Sequence, residues 1–184
     1  MDNKIFINAN QLLSDAFTLG KAVWDSGFRP DLIVGLWRGG SPVAIAVHEL
    51  FARLGVNVDH LPLRTRLYSG IDQRAQSVEI TGMEYVNQRI GAIKNILLVD
   101  DIFDTGTSMS AVVSQIESDL NSATETRIAT VWFKPTHNKS KLRPDYYVHS
   151  TDKWIVFPHE LCDIAATDLF ENKEGIATIK PLLK

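Results

Sequence analysis

The sequence predicts an α/β fold: a mainly parallel, twisted sheet flanked by helices. Three observations predict it. Short continuous apolar runs, Asp31-Leu-Ile-Val-Gly-Leu36 and Asn95-Ile-Leu-Leu-Val99, are too brief for helices and read as strands covered on both faces. Longer stretches with apolar residues at helical spacing alternate with them. Glycines, and a serine-proline pair, stand where such helices would start or stop. Strands alternating with helices imply parallel pairing with crossover connections.

Leu12, Leu13, Ala16, Leu19, Val23 and Trp24 share one helical face, and Gly27 follows as a stop. Residues 31–36 are the first buried strand. Ser41-Pro42 reads as an N-cap followed by proline at the first helical position. That helix runs from Val43 to Leu54, with Gly55 as its cap. Val56 to Leu61 is the next strand. Arg64 to Ser77 is polar and basic, has Gly70 in its middle and lacks periodicity, so it reads as a mobile loop. The strand at 95–99 leads into a helix from Ser108 to Leu120. Arg127–Phe133 is a further strand, with short ones at Tyr146–His149 and Trp154–Phe157. Neither a repeat nor a linker interrupts the chain, so residues 1–184 are expected to form one domain.

Hydrophobic residues make up 45% and charged residues 22%, a balance that suits a globular chain with a filled core. No apolar run approaches the roughly 18 residues of a membrane span, and no membrane partner is expected. The first residues lack the layout of a signal peptide. The single cysteine, Cys162, excludes an internal disulfide, fits a cytoplasmic location, and is expected to be a small buried residue. A net charge of −3 and a pI near 5.9 argue against a nucleic-acid coat protein. Anions must therefore be bound locally, by loop amides, a few arginines and a divalent cation.

The segment from Ile96 to Ser108 concentrates the chemistry. Asp100 and Asp101 follow an apolar strand, and then come Asp104 and the turn Thr105, Gly106, Thr107, Ser108. Consecutive amides in that turn, with a helix N-terminus behind them, suit a phosphate. Gly106 supplies close approach or positive φ. Asp100 and Asp101 are suited to a ribose diol or to magnesium bridging it. Taken alone, an Asp-Asp pair at a strand end is equally a solvated turn with a helix cap. The EF-hand, GxGxxG and Walker patterns are all absent.

This arrangement resembles the phosphoribosyl-pyrophosphate signature of the type I phosphoribosyltransferases, most closely the 6-oxopurine (hypoxanthine/guanine/xanthine) members. The resemblance implies that family's fold, with a small hood and a base-recognition segment at about 134–184. It implies magnesium as cofactor, phosphoribosyl pyrophosphate and a purine base as substrates, no nucleic-acid partner, and a homodimer or homotetramer. Trp37-Arg38-Gly39-Gly40 is similar to the family's pyrophosphate loop, where Arg38 offers a planar donor fork and Gly39 and Gly40 expose amides. Val131 to Pro135 and Lys153 to Glu160 are similar to the base-recognition segments. There Lys134 would donate to the purine O6, Trp154 would stack on the ring, and the Ile155 carbonyl would meet the exocyclic position. Asp104 would face the purine N7. The loop at about 63–77 corresponds to the family's flexible hood, with Arg66, Tyr68, Ser69 and Arg74 as candidates for pyrophosphate. Glu160 would reach a second magnesium through water.

The chain departs from the family pattern in places. Thr107 and Ser108 replace the usual residues of the phosphate turn but keep its hydroxyls, and His159 stands where the purine enzymes often carry tryptophan. His48-Glu49 and His159-Glu160 lack the second histidine of a zinc-protease helix. The alternatives are a transferase for another base and a regulatory protein that only binds phosphoribosyl pyrophosphate.

Overall fold

The computed structural model describes residues 4–69, 76–89, 91–119 and 124–183. Strands β1 (Lys4–Phe6), β2 (Leu32–Trp37), β3 (Asp59–Ser69), β4 (Gln76–Thr81), β5 (Asn95–Phe103), β6 (Glu125–Phe133), β7 (Tyr146–Ser150) and β8 (Trp154–Val156) alternate with helices. The helices are α1 (Ala9–Asp25), α2 (Gly40–Arg53), α3 (Met83–Asn87), α4 (Thr107–Asp119) and α5 (Ala166–Asn172), followed by two 3₁₀ turns. Six strands form one sheet in the order β4-β3-β2-β5-β6-β7, parallel except for the β3–β4 hairpin. A separate parallel pair, β1–β8, ties Lys4–Phe6 to Trp154–Val156.

The apolar runs are strands because both faces of the sheet are covered. In β2 and β5, Ile33, Leu97 and Val99 face one core with residues of α1 and α2. Their neighbours Leu32, Val34, Leu36, Ile96 and Leu98 face a second core with α3 and α4. Alternate residues of a strand point to opposite faces, so a continuous apolar run is what two cores require. Each leucine so buried contributes on the order of 1.5–3 kcal/mol. At the start of α1, the Asn8 side chain accepts from the Gln11 amide at 2.8 Å. Among the described residues, no helix is long and apolar enough to cross a membrane.

Several boundaries differ from the sequence reading. Helix α2 begins at Gly40, with Gly39 as its cap, so Ser41 is not the N-cap and Pro42 is the third helical residue. Proline is tolerated there because the first four amides of a helix have no partner inside it. Strand β3 starts at Asp59 rather than Val56, whose amide instead closes the end of α2 on the Phe51 carbonyl. Residues 64–69 and 76–77, expected to be irregular, lie in the β3–β4 hairpin in the register Arg64↔Thr81 to Ser69↔Gln76. Pairing of β3 with β2 stops at Trp37↔Arg64. Beyond it β3 pairs with β4 alone; Ile80 still packs against the second core, whereas Leu67 is exposed, so burial does not impose a continuous apolar run. Residues 70–75, including Arg74, lie outside those described. Cys162, expected to be buried, is exposed; it lies past β8, in a surface turn with no core to enter.

Candidate active site

A crevice opens between β2 and β5. Their pairing ends at Gly35↔Val99, whereas β5 and β6 stay paired to Phe103↔Phe133. From β2 the chain moves outward to β3, and from β5 it moves the other way to β6. Helices α2 and α4 accordingly pack on opposite faces. This is a topological switch point at the carboxyl ends of parallel strands, where such sheets bind ligands.

Asp100 and Asp101 do not follow the strand, as the sequence suggests; they belong to it, because β5 continues to Phe103. The longer strand results from pairing with β6, which sequence periodicity does not report. Across the crevice lies the turn Arg38-Gly39-Gly40, entered through a cis Trp37–Arg38 peptide. The two glycines permit a contact that no side chain would allow. A Cβ on Gly40 would sit 2.9 Å from Asp100 Cα and closer still to the Val99 carbonyl oxygen, and one on Gly39 would sit 2.6 Å from Asp101 Oδ1. The proposed pyrophosphate loop and the acidic strand are therefore packed backbone to backbone, with Arg38 exposed at the rim.

Removal from water raises the Asp100 carboxyl well above the usual carboxylate range, and the neighbouring Asp101 charge adds to the effect; amides of Asp101 and Gly40 oppose it. Asp101 is buried, and its Oδ2 lies 3.4 Å from His159 Nε2. The His159 ring stacks on Phe157, with planes 9° apart.

Downstream, Gly106 has φ +76°, which only glycine adopts without strain, and its carbonyl accepts the Ser110 amide. Thr105 Oγ1 and Thr107 Oγ1 are 3.0 Å apart. Helix α4 begins at Thr107, so the hydroxyls of Thr105, Thr107 and Ser108 surround its N-terminus.

Asp104 is brought to the end of β6. Its Oδ2 lies 3.1 Å from Nζ of Lys134, a side chain only 7% exposed, and its Oδ1 lies 3.1 Å from His137 Nδ1. Lys134 is held in place by its own amide, which donates to the Phe103 carbonyl at 2.9 Å. The Thr151 amide donates to the Phe133 carbonyl, so the segment leading to Trp154 starts beside Lys134. Trp154 is 54% exposed and thus not a core residue, which leaves its ring free to stack. The Ile155 side chain is buried in the core. The next carbonyl, of Val156, accepts the Ile7 amide of the neighbouring strand. Carbonyls alternate along a strand, so that of Ile155 points away from β1.

Glu160 lies apart from this group. Its Oε2 accepts the Phe157 amide at 3.1 Å, closing a turn whose Phe157 carbonyl also takes Lys173 Nζ at 2.6 Å. Arg66, Tyr68 and Ser69 lie on the distal part of β3. The site residue absent from the sequence reading is His137. Its one linear signal was a titratable group three residues after Lys134.

Comparisons with known proteins point to one family. Residues 7–163 match the family model described as phosphoribosyl transferase domain. Xanthine phosphoribosyltransferase 1 of Saccharomyces cerevisiae is 24% identical over 95% of this chain and 98% of its own length. Hypoxanthine-guanine phosphoribosyltransferase of Schizosaccharomyces pombe is 25% identical over 80% of this chain and 85% of that one. The crystal structure of a purine phosphoribosyltransferase from Pyrococcus horikoshii superimposes with a TM-score of 0.69 at 27% identity, covering 89% of this chain and 98% of the other.

Proposed function

Because the chain belongs to the phosphoribosyl transferase domain family, we propose that it transfers the 5-phosphoribosyl group of phosphoribosyl pyrophosphate to a 6-oxopurine, giving a purine nucleoside monophosphate and pyrophosphate. One observation carries the choice of acceptor: Lys134 Nζ and Asp104 Oδ2 stand side by side, 3.1 Å apart. A 6-oxopurine presents an acceptor, O6, next to a donor, N7–H, on one edge. An ammonium beside a carboxylate is the complement of that edge. The base would replace the ion pair with two charge-assisted hydrogen bonds. Adenine would bring its 6-amino donor against the lysine, leaving both groups unpaired.

In the reaction, the bond from the ribose C1 to pyrophosphate breaks, a bond from a purine ring nitrogen to C1 forms, and the ring proton passes to Asp104. The transition state at such a carbon has oxocarbenium character. The amides and hydroxyls of Thr105–Ser108 would hold the 5′-phosphate, and Asp100 and Asp101 the ribose hydroxyls. Arg38 and the amides of Gly39 and Gly40 would stabilise charge on the leaving pyrophosphate. Exposed Trp154 would cover the purine ring, with the Ile155 carbonyl at its exocyclic position. Arg66, Tyr68 and Ser69, on the distal part of β3, would form part of a hood over the donor.

The acidic pair suits magnesium. Asp100 is a hard oxygen donor whose ionisation is disfavoured by burial and then by the Asp101 charge, and a cation would offset both. Among the described residues, no group of three or more His, Cys, Asp or Glu could enclose a metal. Asp100 and Asp101 would hold such an ion together with oxygens of the substrate. When bound, magnesium neutralises pyrophosphate charge. Glu160 is proposed only as a more distant, water-mediated contact. The resemblance also suggests a cytoplasmic homodimer or homotetramer, and light scattering of the purified chain checks the assembly.

The direct test is pyrophosphate release from phosphoribosyl pyrophosphate and magnesium with hypoxanthine, guanine, xanthine, adenine and a pyrimidine offered separately. Release with at least one 6-oxopurine, at a rate well above that with adenine, is expected. Equal rates with adenine would remove the role of Lys134, and no release with any base would favour a sensor.

A further inference from the structure

Two side chains hold the Asp104 carboxylate. Lys134 takes Oδ2, and His137 Nδ1 stands 3.1 Å from Oδ1. A histidine that is 47% exposed would ordinarily sample several rotamers, but this one sits on a turn fastened to its target. The Lys134 amide donates to the Phe103 carbonyl at 2.9 Å, and the Lys139 amide donates to the Thr105 carbonyl at 3.0 Å. Phe103 and Thr105 are the residues on either side of Asp104. The turn bearing His137 is therefore pinned to the backbone immediately before and after the carboxylate it faces. Its middle is tied as well, by the Thr136 amide to Asp152 Oδ1 at 3.2 Å.

The charged groups around His137 come from three elements: Asp104 from the β5–α4 turn, Lys134 from the end of β6, and Asp152 from the turn after β7. Asp152 is held below its usual range first by Thr136, with the charges of His137 and Lys134 adding to the effect. Asp104 and Asp152 thus flank the same lysine and histidine.

We propose that His137 is a positioning residue for the acceptor base: its Nδ1–H holds Oδ1 of Asp104, so that Oδ2 remains turned toward the purine once Lys134 has moved to the purine oxygen. The proposal rests on the roles given above to Asp104 and Lys134. Without the histidine, arrival of the base would leave the carboxylate with no tether, free to rotate about its side-chain torsions. With it, one oxygen is anchored while the other accepts the N7 proton. The role requires the tautomer with hydrogen on Nδ1, and the hydrogen bond itself selects that tautomer.

Two measurements test the proposal. The first is independent of turnover: ¹⁵N chemical shifts of His137 in the ligand-free chain and in Asp104→Ala. Nδ1–H in the parent, lost in the variant, is expected; Nε2–H in both would overturn the pair. The second is steady-state kinetics with a 6-oxopurine. His137→Ala should lower kcat/KM for the base about tenfold, the scale of one hydrogen bond to a charged group, while leaving KM for phosphoribosyl pyrophosphate unchanged. His137→Asn places an amide N–H where Nδ1 stood and should recover to within about threefold of the parent. Unchanged kcat/KM in His137→Ala, or His137→Asn as slow as His137→Ala, would overturn the role. Absence of turnover in the parent with every 6-oxopurine would instead defeat the reading of the acceptor, and the positioning role with it, while the tautomer measurement still decides whether the pair exists.

Discussion

Replacement of Gly40 by alanine probes the junction between the two proposed substrate-binding segments. The added Cβ would lie 2.9 Å from Asp100 Cα and 3.0 Å from Asp100 Oδ1, and nearer still to the Val99 carbonyl oxygen. Ordinary contact begins at 3.4 Å, so the gap at Asp100 Cα alone must widen by 0.5 Å (3.4 − 2.9), and the gap at Val99 by more. Backbone lies on both sides and no flexible side chain can yield. Either α2 and its leading turn move away from β5, or β5 shifts within the sheet. Overpacking of this kind costs about 1–3 kcal/mol of stability. The same shift moves the Arg38–Gly40 turn relative to Asp100 and Asp101. Misplacement by an ångström can cost on the order of a hundredfold in rate, so a loss of roughly ten- to a hundredfold in kcat/KM is expected. Urea melts and pyrophosphate release measure the two effects on one preparation. If Gly40→Ala kept parental stability and rate, the close packing of loop on strand would be refuted.

Asp104→Ala should lose most turnover while still binding phosphoribosyl pyrophosphate in a calorimetric titration; unchanged turnover would end its role. Lys134→Gln should lower kcat/KM for the oxopurine by about ten- to a hundredfold, the worth of a charge-assisted hydrogen bond, and narrow the preference over adenine in the same base panel. Leu98→Ala, in the fully buried centre of β5, should cost about 2–5 kcal/mol in a denaturant melt. Because burial first and Asp101 second raise the Asp100 carboxyl, the folded chain retains that proton where the unfolded chain has released it. Stability from this group therefore falls as pH rises above the unfolded value of about 4. Without magnesium, Asp100→Asn, which keeps an oxygen for the Asp101 and Gly40 amides, should melt higher than the parent at neutral pH and lose that advantage below about pH 4. A lower melting point at neutral pH would contradict the sign.

Local chemistry written within one segment was legible in the order of residues. The strands read at 31–36 and 95–99, observed as Leu32–Trp37 and the first part of Asn95–Phe103, were legible because a strand covered on both faces is apolar along its length. Gly106 with its hydroxyl neighbours announced a turn, since φ +76° and a following helix depend on nearby residues alone. Reading failed where partners at long range set the outcome. Strand β5 runs on through Asp100 and Asp101 because β6 pairs with it, and β3 runs on through Ser69 because β4 does. Helix α2 starts at Gly40, a residue that β5 leaves no room to carry a side chain, and that contact is invisible in the linear order.

Taken alone, the sequence determined the alternating architecture, the pair of acids next to an apolar run and the glycine turn ahead of a helix, because each depends on spacing within a short stretch. Tertiary structure decided which of these meet: Asp104 with Lys134 across 30 residues, His137 on the opposite oxygen of the same carboxylate, and His159 beside Asp101. Those contacts follow from a sheet that places the ends of β2, β5 and β6 along one edge. Neighbour relations in a sheet are set by three-dimensional packing, and a linear order of side chains carries them only indirectly.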